Sequence, residues 1–143
     1  MTAMDMAKYV LAKCTKDGTP INGGQLQKAL YLLQCEFLGK QGRELFSDDF
    51  EAWDAGPVVP AVYHALSAHG DKKVGYNGDV PDIAERERKT IDRIIGDFVA
   101  KESANPYQVQ IEINKPGRAW DKAYLEGENS VITKEAIGRF GLN

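Results

Sequence analysis

The sequence predicts a mainly α fold with a minor β element (α+β), a single compact helical domain of residues 1–143. Several segments carry apolar residues at helical spacing, and two short segments alternate between apolar and polar residues as extended chain does. No repeat or low-complexity linker divides the chain. A chain of 143 residues suits one domain, in which folding buries about two-thirds of the surface that the unfolded chain exposes.

The first two helices have the clearest signals. One is predicted around the apolar positions 7, 10, 11 and 14, and Gly18 can end it in a left-handed cap. Asn22 is the predicted N-cap of the second, with Gln25 in capping-box position. Both faces of this second helix are apolar between Leu26 and Leu38, which indicates a central helix.

An extended segment and a third helix follow. Residues 45–53 alternate loosely enough to predict a short strand. Pro57 disfavours a helical conformation at Gly56, so the third helix should begin near Val59 or Pro60 and run to about His69.

The second half of the chain predicts one long helix, one strand and two short helices. Asp82 and Glu85 form a plausible cap for the long helix, whose apolar positions 91, 94, 95, 98 and 99 should face inward. Apolar and polar residues alternate from Tyr107 to Ile113, which predicts a strand with residues 49–53 as its candidate partner. Short helices are predicted over residues 118–125 and 133–140.

The segment from Phe50 to Tyr63 is the most distinctive in the chain. It reads FEAWDAGPVVPAVY, so it brings a large apolar load to a Gly-Pro turn. A turn that only reverses the chain would be polar. This turn should therefore be buried or form a docking surface.

Together with residues 22–34 (NGGQLQKALYLLQ) and residues 119–123 (AWDKA), this segment resembles the Panacea antitoxin domain, also called the SocA-like or GepA-like domain. The resemblance runs from about Met6 to about Phe140. Asn114 stands where the family usually has His, and Ala119 where it usually has Pro. The matching motif residues, structural or interface in role, are Gln27, Lys28, Tyr31, Trp53, Gly56, Pro57, Val58, Pro60, Tyr63 and Trp120.

The resemblance implies an antitoxin of a toxin–antitoxin system, often associated with a phage or another mobile element. Such domains neutralise unrelated toxins by direct protein–protein contact, and the partner gene commonly lies beside them. The implied partner here is a cognate protein toxin, with an alarmone-synthetase-like toxin as one candidate class.

Composition points to binding rather than to cofactor chemistry. The net charge of −3 argues against nucleic acid as the main partner. Cys14 and Cys35 stand alone, without the spacing of a zinc or redox motif, and no phosphate-binding glycine motif occurs, so no cofactor is predicted. The N-terminus lacks a signal-peptide pattern and no apolar run approaches ~18 residues, which predicts a cytoplasmic protein without a membrane segment.

Four carboxylates crowd the segment before the Gly-Pro turn: Asp48, Asp49, Glu51 and Asp54. A solvated acidic surface is one interpretation, and a surface that docks a basic partner is another, which makes these residues candidate partner-binding residues. A metal or acid–base cluster is a third, which the calcium-loop spacings do not support.

The remaining conspicuous side chains have structural interpretations. His64 and His69 lie five positions apart, on different sides of a helix, so joint metal ligation is not expected. Lys28 is interpreted as a surface charge or as a lid over the core. The aromatic motif residues are predicted to be core anchors, with partial exposure at an interface as the alternative: Tyr31, Trp53, Tyr63 and Trp120.

Two other classes of function stay open. A DNA-binding regulator would read a groove with the helix of residues 22–39 or 82–102. A hydrolase would need Asp48, Asp49, Glu51 and His64 in one site. A proteolytic adaptor, which hands a bound toxin to a protease, is a variant of the antitoxin hypothesis.

Overall fold

Helices dominate the architecture, as the sequence predicts. A computed structural model describes residues 1–142, with a small three-stranded antiparallel sheet packed among the helices. The helices are α1 Ala3–Lys16, α2 Gly23–Lys40, α3 Pro60–Leu66, α4 Glu85–Ala104, α5 Gln108–Ile113, α6 Ala119–Glu126 and α7 Lys134–Phe140, and the strands are β1 Phe50–Trp53, β2 Gly56–Val58 and β3 Ser130–Ile132. A 3₁₀ turn, Ser67–His69, extends α3 to the residue that the sequence predicts.

Helix α2 is the centre of the molecule. Its N-terminus has the predicted capping box: Asn22 Oδ1 accepts from the Gln25 amide at 2.8 Å, and Gln25 Oε1 accepts from the Asn22 amide at 2.9 Å. Half of its length is buried, and it contacts α1, α3, α4, α7 and β2. The prediction of a central helix is therefore confirmed.

Two buried glutamines of α2 hold irregular segments against the helix. Gln34 accepts from the Leu45 amide at 2.8 Å and donates to the Phe46 carbonyl at 2.9 Å. Gln27 accepts from the Val59 amide at 2.9 Å and donates to the Val59 carbonyl at 3.2 Å. Each side chain thus satisfies backbone groups as a neighbouring strand would, which fixes the chain before β1 and after β2.

The sheet has the order β2-β1-β3, with both pairs antiparallel. Residues 54 and 55 form the two-residue turn between β1 and β2, because Trp53 pairs with Gly56. Pro57 lies in an edge strand, where its missing N–H leaves fewer donors for further pairing. The extended segment that the sequence predicts over residues 45–53 is thus limited to β1.

The strand predicted over Tyr107 to Ile113 is wrong, because these residues form α5. Val109 and Ile113 are buried one helical turn apart, whereas Ile111 between them is 58% exposed. A spacing of four occurs in both a strand and a helix, so alternation over seven residues does not distinguish the two. The strand that pairs with β1 on the side away from β2 is β3 instead, with Glu51 opposite Val131.

The predicted cap of α4 is also wrong, although its inward face is confirmed. The helix begins at Glu85 with Ala84 as N-cap, and no side chain caps it, so Asp82 lies in the preceding loop. The inward residues at 91, 94, 95 and 98 are buried, and Val99 is partly buried. The apolar spacing thus identified the buried face of α4 but not the residue at which the helix begins.

Both cysteines are buried, and we expect neither to react in the folded protein. Burial raises the pKa of the Cys14 thiol, and that of Cys35 more strongly, which suppresses the thiolate that attacks disulfide reagents. At pH 8, the native protein should leave 5,5′-dithiobis(2-nitrobenzoate) unreduced over minutes, and both thiols should react at once in denaturant. Rapid labelling of the native protein would contradict the burial of at least one of these thiols, Cys14 in α1 or Cys35 in α2.

A cleft beside the β1–β2 hairpin

A cleft of about 470 Å³ lies between the first half of α2, the β1–β2 hairpin and α3. Seven of the ten motif residues line it: Gln27, Lys28, Trp53, Gly56, Pro57, Val58 and Tyr63. The other three, Tyr31, Pro60 and Trp120, are not among its lining residues. Residues from three separate segments of the sequence thus meet at one surface.

An aromatic pair forms one wall of the cleft. The Trp53 and Tyr63 rings meet edge to face, with centroids 4.9 Å apart, and the Trp53 indole N–H donates to Glu51 Oε1 at 2.9 Å. Trp53 is only partly buried and Tyr63 is 46% exposed, so the prediction of core anchors is wrong for both. It is confirmed for Tyr31 and Trp120, which are buried.

The pleat of β1 explains why Trp53 is outside the core. Side chains alternate along a strand, and Phe50 and Ala52 are fully buried. Glu51 and Trp53 must therefore project from the other face of the sheet. The same alternation places the Trp53 indole next to the Glu51 carboxylate.

Helix α6 holds the hairpin turn in place. The Trp120 indole N–H donates to the Trp53 carbonyl at 2.8 Å, and the Tyr124 hydroxyl donates to Asp54 Oδ1 at 3.0 Å. The two α6 rings stack with centroids 4.8 Å apart. Donation to the Asp54 carboxylate raises the pKa of Tyr124. The Trp120 motif residue therefore supports the cleft from behind rather than lining it.

A second support comes from the end of α5. Asn114 Nδ2 donates to the Ala55 carbonyl at 3.2 Å, and Gln110 Nε2 donates to Asn114 Oδ1 at 3.1 Å. Gly56 has a φ of +149°, and a Cβ atom there would collide with the Gln110 side chain. Asn114 stands where the resemblance expects His, and here its amide ties α5 to the turn. No sequence pattern predicted the role of Gln110.

Lys28 is not a free surface charge. Its side chain is 14% exposed, and its Nζ lies 2.5 Å from Oε1 of Glu102 in α4, which is 5% exposed. The contact is an ion pair between two largely buried side chains. The structure favours the lid interpretation of Lys28, with its charge compensated inside the molecule.

Each of the four clustered carboxylates has its own intramolecular contact. Asp48 accepts from the Ala3 amide at 2.7 Å, at the start of α1, and Asp49 pairs with Lys134 at 2.8 Å. Glu51 accepts from Trp53 and Asp54 from Tyr124. Strand β1 separates the first two from Asp54, which is the member that lines the cleft.

Both histidines lie on the surface of the helical segment that follows the hairpin. His64 is exposed with its ring 5.5 Å from that of Tyr63, and His69 is exposed. In the part of the chain that the structure describes, no three His, Cys, Asp or Glu side chains are placed to hold a metal ion. No helix among residues 1–142 has the length and apolar character needed to cross a membrane.

Comparison with known proteins covers the part of the chain that contributes most of the cleft. The family model described as antitoxin SocA-like, Panacea domain, matches residues 26–105, which include all seven motif residues that line the cleft. Over 72 residues the chain is 42% identical to antitoxin SocA of Caulobacter vibrioides (strain NA1000 / CB15N), a match that covers 50% of this chain and 38% of that relative. No solved structure matches. The chain belongs to the SocA-like Panacea antitoxin domain family.

Proposed function

We propose that this protein is a cytoplasmic antitoxin that neutralises one cognate protein toxin by binding it directly. The observation that carries the proposal is the convergence of motif residues on an open cleft with a partly exposed aromatic pair. Tryptophan and tyrosine supply much of the binding energy at protein interfaces. An aromatic wall that the fold leaves in solvent, and supports from behind through α6, suits such a role.

Acidic residues near the hairpin would orient the toxin. The candidates are Asp48, Asp49, Glu51 and Asp54, with Asp54 on the cleft itself. Electrostatic complementarity mainly sets the association rate and the specificity of a complex. Charge reversal at Asp54 should therefore slow association more than it speeds dissociation, and less so in high salt, where charges are screened. An alarmone-synthetase-like toxin is a candidate partner class.

The other classes of function find less support in the packing. A DNA-reading role for α2 would require an exposed helix, but α2 is buried on several sides. The outer face of α4 carries both signs, as in the pairs of Glu85 with Lys89 and Arg93 with Asp97. A hydrolytic site would need Asp48, Asp49, Glu51 and His64 together, and each has a different neighbour.

Co-expression tests the proposal. The gene should rescue growth when it is expressed with the neighbouring toxic reading frame, and the two products should co-purify. His64→Ala should rescue within a few-fold of wild type, because that side chain is exposed and is not among the residues that line the cleft.

Two outcomes would contradict direct neutralisation. Rescue without a detectable complex, with the toxin or its target chemically modified, would indicate an enzymatic antitoxin. Rescue that disappears in a host lacking its ATP-dependent proteases, while the complex persists, would indicate a proteolytic adaptor.

A further inference from the structure

We propose that the cleft binds an arginine or lysine side chain from an extended segment of the toxin, held against Trp53 and Tyr63 and between the carboxylates of Asp54 and Asp71. The identity of the partner rests on the proposed function. The chemistry of the occupant rests on the cleft alone.

The aromatic wall suits a long cationic side chain. A cation over the face of a tryptophan or tyrosine ring is attracted by the ring quadrupole, and the aliphatic stem of lysine or arginine packs on apolar surface. Trp53 and Tyr63 provide two such rings at the cleft, and Val58 and Leu66 add apolar surface beside them.

The charges at the cleft favour a basic occupant. Three charged side chains line it, and the cation among them, Lys28, is already paired with the buried Glu102. Asp54 and Asp71 are exposed, and the partner that Asp54 has is the neutral Tyr124 hydroxyl. The electrostatic potential at the cleft is therefore negative and comes from the carboxylates of Asp54 and Asp71.

The backbone around the cleft favours capture of side chains rather than addition of a strand. Pro57 removes one N–H from the edge strand β2, and Gln27 already occupies both backbone groups of Val59. A volume of about 470 Å³ lies within the range of sites for small ligands, ~300–1,000 Å³. One or two side chains of an extended segment therefore fit better than a folded surface.

An acidic segment is the opposite occupant. The N-terminus of α2 borders the cleft at Gly23 and Gly24, and a helix N-terminus favours negative charge. Asn22 already caps this end through the Gln25 amide. The carboxylates of Asp54 and Asp71 would repel the carboxylate of an acidic segment. The charges at the cleft therefore favour the basic occupant.

Peptide probes test this chemistry without the toxin. We would titrate the ¹⁵N-labelled protein with N-acetyl-Gly-Arg-Gly-amide and follow the Trp53 indole N–H, with the Trp120 indole as an internal control. The shift should be saturable, and the isosteric peptide with citrulline should bind about five- to tenfold more weakly, because it lacks the charge. The peptide with Glu should give no saturable shift.

Matched variants locate the charges. Asp54→Asn with Asp71→Asn should weaken binding of the Arg peptide about five- to tenfold, since two exposed charge pairs are lost. Asn can still accept from Tyr124, so the hairpin support is retained. Asp97→Asn on α4, outside the cleft, changes an exposed carboxylate and should leave the affinity unchanged.

Three results would overturn the inference: no saturable shift with the Arg peptide, tighter binding of the Glu peptide, or an Arg affinity that is unchanged in the double variant. The same double variant measured against the purified toxin separates the two proposals. A toxin complex of unchanged affinity would leave the proposed function standing and refute the basic occupant. Absence of a complex between the wild-type protein and the toxin would refute the proposed function, while the peptide titration decides the chemistry of the cleft.

Discussion

Replacing Phe50 by alanine should lower the free energy of unfolding by about 3 to 5 kcal/mol, the usual range for removing a fully buried aromatic side chain. Phe50 is completely buried, and its ring meets Tyr31 edge to face with centroids 5.1 Å apart and Phe46 at 5.9 Å. It lies in the central strand of the sheet, so the surroundings have little freedom to collapse into the cavity. Urea denaturation followed by far-UV circular dichroism measures the loss.

Trp53→Ala is the matched control for this prediction, because it lies in the same strand on the opposite face. Although tryptophan is larger, we expect a loss of only about 1 to 2 kcal/mol, for one ring contact and one hydrogen bond to a carboxylate. A loss from Trp53→Ala as large as that from Phe50→Ala would contradict the placement of Trp53 on the cleft.

The features that the sequence predicted well depend on neighbours within one helical turn. Asn22 and Gln25 form their capping box from local geometry alone, and the apolar spacing of α2 and α4 identified their buried faces. Pro57 likewise restricts its neighbour Gly56, so the start of α3 near Val59 or Pro60 was predictable.

The errors concern choices that tertiary packing makes. The spacing of Val109 and Ile113 fits a strand and a helix equally well. In the structure this segment is the helix α5, which packs against α4. Strand β3 is too short to give a periodic signal, and its pairing with β1 is non-local. The error at Trp53 is different: the alternation of Phe50 and Ala52 with Glu51 and Trp53 was readable, but the size of the indole favoured the core interpretation.

The candidate site could be predicted only in its parts. The motif residues on α2 and the hairpin were identified, but nothing local shows that Lys28 and Trp53 line the same cleft. The compensation of Lys28 by Glu102 is also non-local, because the two residues lie in different helices. The net charge at the cleft could therefore not be predicted from the sequence and follows only from the structure.

The proposed toxin interface is this cleft, with Trp53 as an anchor. Trp53→Ala should weaken the complex by about 30-fold or more, the size expected when an interface hot spot is truncated. Isothermal titration calorimetry with the purified toxin gives the affinity. Phe140→Ala, on α7 outside the cleft, removes an aromatic side chain that is 39% exposed and should leave the affinity within about twofold.

The decisive measurement is therefore the affinity of Trp53→Ala for the toxin, taken together with its urea midpoint. We expect a folded variant that has lost most of its affinity. A folded Trp53→Ala variant that binds the toxin as tightly as the wild-type protein would contradict it.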